Sequence, residues 1–129
     1  VSSDYYLQTH STNPLLKPQT ISRAIEAFLT QKEVFDSLFS VTKLQTRLYN
    51  QQGDALNHNP GELIQTQDLP PVYEENSCLY LFSKSSLEAN QHRIGRSPLM
   101  FEIAPEEAWD IDTMTDFLIV EFLIGQSKG

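Results

Sequence analysis

The spacing of apolar residues changes along the chain and divides it into elements. Tyr5-Tyr6-Leu7-Gln8-Thr9-His10 is rich in strand-favouring residues and runs into a break at Asn13-Pro14. Pro18 sits where a helix tolerates proline, in its first turn. Behind it Ile21, Ala24, Ile25, Phe28 and Leu29 recur at offsets 0, 3, 4, 7 and 8, which predicts a helix over about 18–31. Ser37-Leu38-Phe39-Ser40-Val41 is a nearly continuous apolar run, the pattern of a strand covered on both faces. The opening therefore reads strand, helix, strand, the unit from which parallel sheets are built, and the class expected is α/β.

The middle of the chain differs. Thr46-Arg47-Leu48-Tyr49 and Ala55-Leu56-Asn57-His58 flank Gln51-Gln52-Gly53-Asp54, which predicts a hairpin whose turn uses Gly53. From Asn59 to Glu75 the composition is polar and proline-containing, yet Leu63, Ile64, Leu69, Val72 and Tyr73 still call for burial, so this is an irregular excursion and not a linker. Together these segments form an extension over about 44–75 within a single domain. Cys78-Leu79-Tyr80-Leu81-Phe82 reads as a buried strand, Ser85–Asn90 as a short helix and Leu99–Ile103 as another strand. A last helix starts near Thr113 with the stripe Phe117, Val120, Leu123, Ile124, and Thr113 and Asp116 have the spacing of a capping box.

Composition narrows the partners. In 129 residues, nine Lys plus Arg face 17 Asp plus Glu, a formal charge of −8. That balance excludes nucleic acid as a bulk electrostatic partner, which would need clustered cations, and suits a divalent cation, whose preferred ligands are carboxylate oxygens. The lone Cys78 rules out an internal disulfide and fits a reducing compartment; with no run of 18 apolar residues and no basic, apolar start, the expectation is a cytoplasmic protein with no membrane span.

Three segments offer chemistry. In Asp110-Ile111-Asp112, read as a strand, residues i and i+2 share a face and set two carboxylates side by side. Like charges so placed need a cation, a proton or strong donors, and no Lys or Arg lies between Arg96 and Lys128 to supply one locally. A divalent ion bridging them to phosphates resolves the charge. The alternative is that Asp112 caps the last helix and Asp110 is merely solvated. Gln8-Thr9-His10-Ser11-Thr12-Asn13-Pro14 places polar groups at the carboxyl end of the first strand, where open α/β sheets bind ligands; the alternative is an ordinary strand-to-helix loop. The stiff segment Gln67–Asn76 could hold Tyr73 and Asn76 against a pocket or serve as scaffolding. Arg93-Ile94-Gly95-Arg96 is the one dense basic spot, facing either an anion or solvent. His58 and His92 have no companion at metal-ligand spacing, and Cys78 lies in an apolar run as core.

Taken in order, Asn13-Pro14-Leu15-Leu16-Lys17, Asp36–Val41, Gln67–Asn76, Arg93–Arg96 with Phe101-Glu102-Ile103, and Asp110-Ile111-Asp112 resemble the acylneuraminate cytidylyltransferases, the CMP-sialic acid synthetases and their relatives, over roughly Tyr6 to Leu123. The resemblance implies a Rossmann-like layer of the nucleotide-diphospho-sugar transferase type with a dimerisation extension. It implies transfer of CMP from CTP to a sialic-type (nonulosonic) acid with release of pyrophosphate, dependent on Mg²⁺, in a homodimer. By the same resemblance Asp110 and Asp112 are the catalytic, metal-binding pair. Gln8 or His10, with Thr12 and Asn13, meets the nucleotide, and Tyr73 and Asn76 border the sugar acid.

The chain also departs from that family. Its members begin with a strand and a Gly/Ser-rich loop carrying Arg and Lys that cradles the triphosphate, whereas here no two of Gly53, Gly61, Gly95, Gly125 and Gly129 lie closer than four residues. Gln65-Thr66 stands where relatives often carry an arginine. The chain thus resembles the C-terminal part of a cytidylyltransferase, and the expectation is that alone it transfers little. The rival expectation is a binding or self-assembly module that keeps the fold without the chemistry.

Overall fold

In the computed structural model, which describes residues 5–128, four strands and three helices follow one another as β1 (Tyr5–Thr9), α1 (Pro18–Thr30), β2 (Ser37–Leu44), β3 (Val72–Ser83), α2 (Lys84–Asn90), β4 (Pro98–Glu102) and α3 (Met114–Lys128). The α/β class read from the sequence is the class observed. The strands form one mixed sheet in the order β1-β3-β2-β4. β1 runs antiparallel to β3, with Tyr5 opposite Ser83 and Thr9 opposite Leu79, while β2 and β4 are parallel, with Leu38 opposite Leu99.

One expectation needs correcting here. The strand–helix–strand opening does not give a neighbouring pair, because β3 lies between β1 and β2. Its sequence explains why: Cys78, Leu79, Tyr80, Leu81 and Phe82 are all buried, five in a row, and only an interior strand covered on both faces can hide such a run. β3 therefore takes the centre with β2, and β1 becomes an edge. α1 lays Ala24 and Phe28 onto Leu38, Cys78, Leu79, Leu81 and Ile103, which form the core. Ser40 and Asn76 tie the two inner strands together: Ser40 Oγ donates to Asn76 Oδ1 at 2.5 Å and accepts from Leu79 N at 3.0 Å, while Asn76 Nδ2 donates to Thr42 Oγ1 at 3.0 Å. β3 also carries a backbone irregularity at Ser77, whose φ of 61° is left-handed and rare for a residue with a side chain.

The chain divides into two compact units, one comprising the segments up to Thr42 and from Glu75 onward, the other Lys43–Glu74. In the second unit the expected turn forms around Gly53 (φ 87°), but the hairpin shortens to a single bridge between Tyr49 and Ala55 plus a Leu56 N to Leu48 O bond of 2.8 Å. Asn50 and Asn57 close this turn by side-chain bonds to backbone, among them Leu48 N to Asn57 Oδ1 at 2.9 Å and Asp54 N to Asn50 Oδ1 at 2.9 Å. Such bonds compete with strand ladders and keep the segment irregular. No helix among the described residues is long and apolar enough to cross a membrane.

Candidate functional site

The site grows out of two segments in the first unit that are stitched together: the loop leaving β1 and the acidic stretch after β4. Ile111 N donates to Thr12 O at 2.9 Å, and the buried Asn13 amide reaches Ala108 O at 3.4 Å and Trp109 O at 3.3 Å. Just upstream, Pro105–Ala108 forms a short 3-10 turn that points the Glu107 carboxylate at the start of α1. Glu107 Oε1 accepts from Lys17 N at 3.0 Å and from Thr20 Oγ1 at 2.6 Å. Lys17 occupies the N-cap position of α1 but makes no side-chain cap itself, so Glu107 fills that role from across the fold.

Downstream, the capping box read from Thr113 and Asp116 is present in both directions. Asp116 N donates to Thr113 Oγ1 at 3.2 Å and Thr113 N to Asp116 Oδ2 at 3.1 Å. Asp116 also accepts from Asp112 N at 3.1 Å and from Trp109 Nε1 at 3.2 Å. These donors, the Asp112 amide first, hold the Asp116 carboxyl below the usual carboxylate range.

Between these two anchors sit Asp110 and Asp112, both exposed. The segment is not the strand the sequence suggested: the Thr12 and Asn13 bonds hold its backbone in an irregular path. The two carboxylates are neighbours all the same. Asp112 is pushed above its ordinary range first by the charge of Asp110, then by desolvation, by a hydrogen bond shared with Asp110 and by Asp116. The Asp110 charge also reaches into the sheet. Burial first, then Asp110 and Glu107, push the Cys78 thiol up to about 11. Cys78 is inert core at neutral pH.

The donor set fits a hard divalent cation. Mg²⁺ is commonly held by one or two carboxylates plus substrate phosphates and water, and two adjacent anions supply those oxygens. Among the described residues no group of three or more His, Cys, Asp or Glu forms a self-sufficient metal cage.

The other expected site residues scatter. His10 donates from Nδ1 to the Ser77 carbonyl and sets its ring edge-on to Tyr80 at 6.5 Å, which ties the loop after β1 to the irregular point of β3. Gln8 lies opposite Tyr80 in the β1–β3 ladder, half-buried, and the Thr12 side chain is exposed. The side chains of Asn13 and Asn76 are engaged within the fold: Asn13 holds the acidic segment and Asn76 joins β3 to β2. Tyr73 is exposed and belongs to the second unit.

Tyr80 and Glu107 carried no legible functional signal, and Arg93 was legible only as part of a basic spot. Tyr80 donates its phenol to Glu75 Oε2, with Ser77 Oγ 3.1 Å from the same oxygen. The Arg93 guanidinium lies 3.9 Å from the centroid of its ring. Burial, followed by Glu75, pushes the Tyr80 hydroxyl up. Arg93 is thus stacked and half-buried instead of solvated, whereas Arg96 is exposed. Glu107 looked like any other member of an acid-rich stretch.

Comparison with known proteins bears on the same residues. The cytidylyltransferase family matches residues 1–118. Post-translational flagellin modification protein B of Campylobacter coli is 27% identical over 130 residues, covering 97% of this chain and 54% of that protein. CMP-N,N'-diacetyllegionaminic acid synthase of Campylobacter jejuni is 32% identical over 74 residues, covering 57% of this chain and 32% of that enzyme. The chain spans about half the length of the first relative and about a third of the second. The family match takes in all four strands and passes the paired aspartates into α3, so the resemblance read from the ordered motifs holds and the chain belongs to the cytidylyltransferase family.

Proposed function

We propose that this chain carries the metal-binding side of a cytidylyltransferase site that transfers CMP from CTP to a nonulosonic, sialic-type acid with release of pyrophosphate. The observation that carries the reading is the pair Asp110 and Asp112. They are exposed, the charge of Asp110 raises the Asp112 carboxyl above its ordinary range, and they lie on a segment pinned at both ends next to the carboxyl end of β1. Family membership supplies the reaction class, and the C. jejuni relative, a CMP-N,N'-diacetyllegionaminic acid synthase by name, supplies the substrate kind.

In this reading Asp110 and Asp112 would hold Mg²⁺, which when bound offsets charge on the phosphates of CTP. Gln8 near the end of β1, with His10 and Thr12 on the adjoining loop, is assigned to the nucleotide, and Asn13 fixes that loop against the acidic segment. Tyr73 and Asn76 are assigned to the sugar-acid side. Asn76 acts there through the β2–β3 frame, since its amide is bonded to Ser40 and Thr42. The working form is a homodimer in the cytoplasm. No clustered glycines are available in these 129 residues for a phosphate cradle, so on their own they bind metal–nucleotide but transfer CMP slowly.

Calorimetry with CTP and Mg²⁺ tests this. Saturable heat that requires Mg²⁺ and vanishes in Asp112→Asn is expected. Absence of heat in the parent chain at every Mg²⁺ concentration would overturn the reading and favour a module that assembles without the chemistry.

A further inference from the structure

At the opposite end of the sheet from Asp110 and Asp112 lies a cleft of about 850 Å³, bounded by the start of β1, the end of α1, α2 and the loop before β4. That volume falls in the range of small-molecule sites. Its accessible aromatic surface comes from Tyr5 and Phe35, with the Tyr5 ring packed edge-to-face at 5.7 Å on the buried Phe28 behind it. Its cations are Lys32, Lys84 and Arg96, three of the nine in a chain of charge −8. None of the three forms an ion pair among the described residues.

The geometry points to a binding site for a small oxyanion carried on an apolar ring, the anion meeting the lysines and Arg96 and the ring lying on the aromatic floor. Two acids, Asp36 and Glu88, also line the cleft. Asp36 is engaged locally: its Oδ2 accepts from Arg96 N at 2.8 Å, and its Oδ1 from Ser97 N at 3.2 Å and Ser37 Oγ at 2.9 Å. These bonds fix the backbone that carries Arg96. Gly95 permits the approach, since a Cβ there would stand 2.3 Å from Asp36 Oδ2. Arg96 is therefore presented from a braced loop and not from a free surface turn, which lowers the ordering cost of binding. Cations gathered in a concave, partly apolar surface focus a positive potential within a chain of net charge −8.

The test uses the whole chain at low ionic strength, with phenyl phosphate and inorganic phosphate as probes and amide NMR shifts as the readout. Phenyl phosphate is expected to shift residues of α2 and of Gly95–Ser97 saturably and to bind about tenfold tighter than inorganic phosphate, as burial of one aromatic ring allows. Lys84→Gln, Arg96→Gln and Lys32→Gln are each expected to weaken it severalfold, and Lys43→Gln, outside the cleft, to leave it unchanged. Binding should also survive Asp112→Asn and the absence of Mg²⁺, which separates this site from the metal–nucleotide site. Non-saturable shifts, equal affinity for the two probes, or equal weakening by Lys43→Gln would each overturn the assignment.

Discussion

Removing the Glu107 carboxylate should cost this fold more than any other acid in its stretch. Glu107 is 5% exposed and Thr20, which donates to it, 2%. Truncation by Glu107→Ala leaves the Thr20 hydroxyl buried without its acceptor and the Lys17 amide uncapped at the start of α1. Hydrogen bonds to a charged group contribute about 1.5–3 kcal/mol each. Both donors share the single oxygen Oε1, so their contributions do not add in full, and about 3 kcal/mol is the expected total for Glu107→Ala. Glu107→Gln keeps an acceptor oxygen and loses only charge assistance and the favourable interaction with the helix N-terminus, about 1 kcal/mol. Urea unfolding read by far-UV circular dichroism, with the slope m unchanged, measures both, and Glu106→Ala on the exposed neighbour should stay within about 0.5 kcal/mol. Two results would refute the reasoning: Glu107→Ala costing under about 1 kcal/mol, or Glu107→Gln costing as much as the truncation.

Four further outcomes are expected. Gln91 closes α2 at φ 52° with an exposed side chain, so Gln91→Gly should stabilise by about 0.5–1 kcal/mol in the same urea assay. Gly95→Ala drives a Cβ into the Asp36 carboxylate and breaks up the bonds it accepts, costing about 2–3 kcal/mol. Cys78, with its thiol near 11 instead of 9.0, should resist a thiol-specific reagent at pH 8 until the chain unfolds. Because the folded pKa is the higher one, stability should be level below pH 9.0 and fall as pH rises toward about 11. For Asp112 the folded pKa is likewise raised, so at neutral pH the ionised pair opposes folding, and added Mg²⁺ should raise the melting temperature. That rise should shrink as acid protonates Asp112 and should be lost in Asp112→Asn.

What the sequence revealed followed from local rules. Ile21, Ala24, Ile25 and Phe28 gave α1 because a helical stripe needs no knowledge of its partner, and the Thr113–Asp116 box reads directly from its spacing. The unbroken Cys78–Phe82 run announced an interior strand, yet its place between β1 and β2 depends on pairing that no local pattern encodes. α3 shows the limit of the stripe. Met114, Leu118 and Phe122 are apolar but exposed, and even Phe117, assigned to its buried face, is 48% exposed. At the site, charge, i, i+2 spacing and the order of motifs mark the two aspartates, but the segment that carries them is irregular and not a strand. The path of that segment is set by long-range bonds, Asn13 to Ala108 and Trp109 and Ile111 to Thr12, across more than ninety residues.

Seven acids run from Glu102 to Glu121 inclusive, and the fold sorts them. Glu107 is buried as the cap of α1, and Asp116 is occupied by Thr113, Asp112 N and Trp109 Nε1. These two carboxylates fix the ends of the segment, so the backbone between them follows a held path. Asp110 and Asp112 are then neighbours in the open, near enough for the Asp110 charge to raise the Asp112 carboxyl, with no lysine or arginine paired to either among the described residues. A stretch selected only for solubility would let those charges separate, since separation relieves the repulsion at no structural cost. Under the proposed reading a neighbouring pair is the arrangement a cation site requires: the repulsion present without the ion would become the attraction that seats it, with the backbone held by the anchors Glu107 and Asp116.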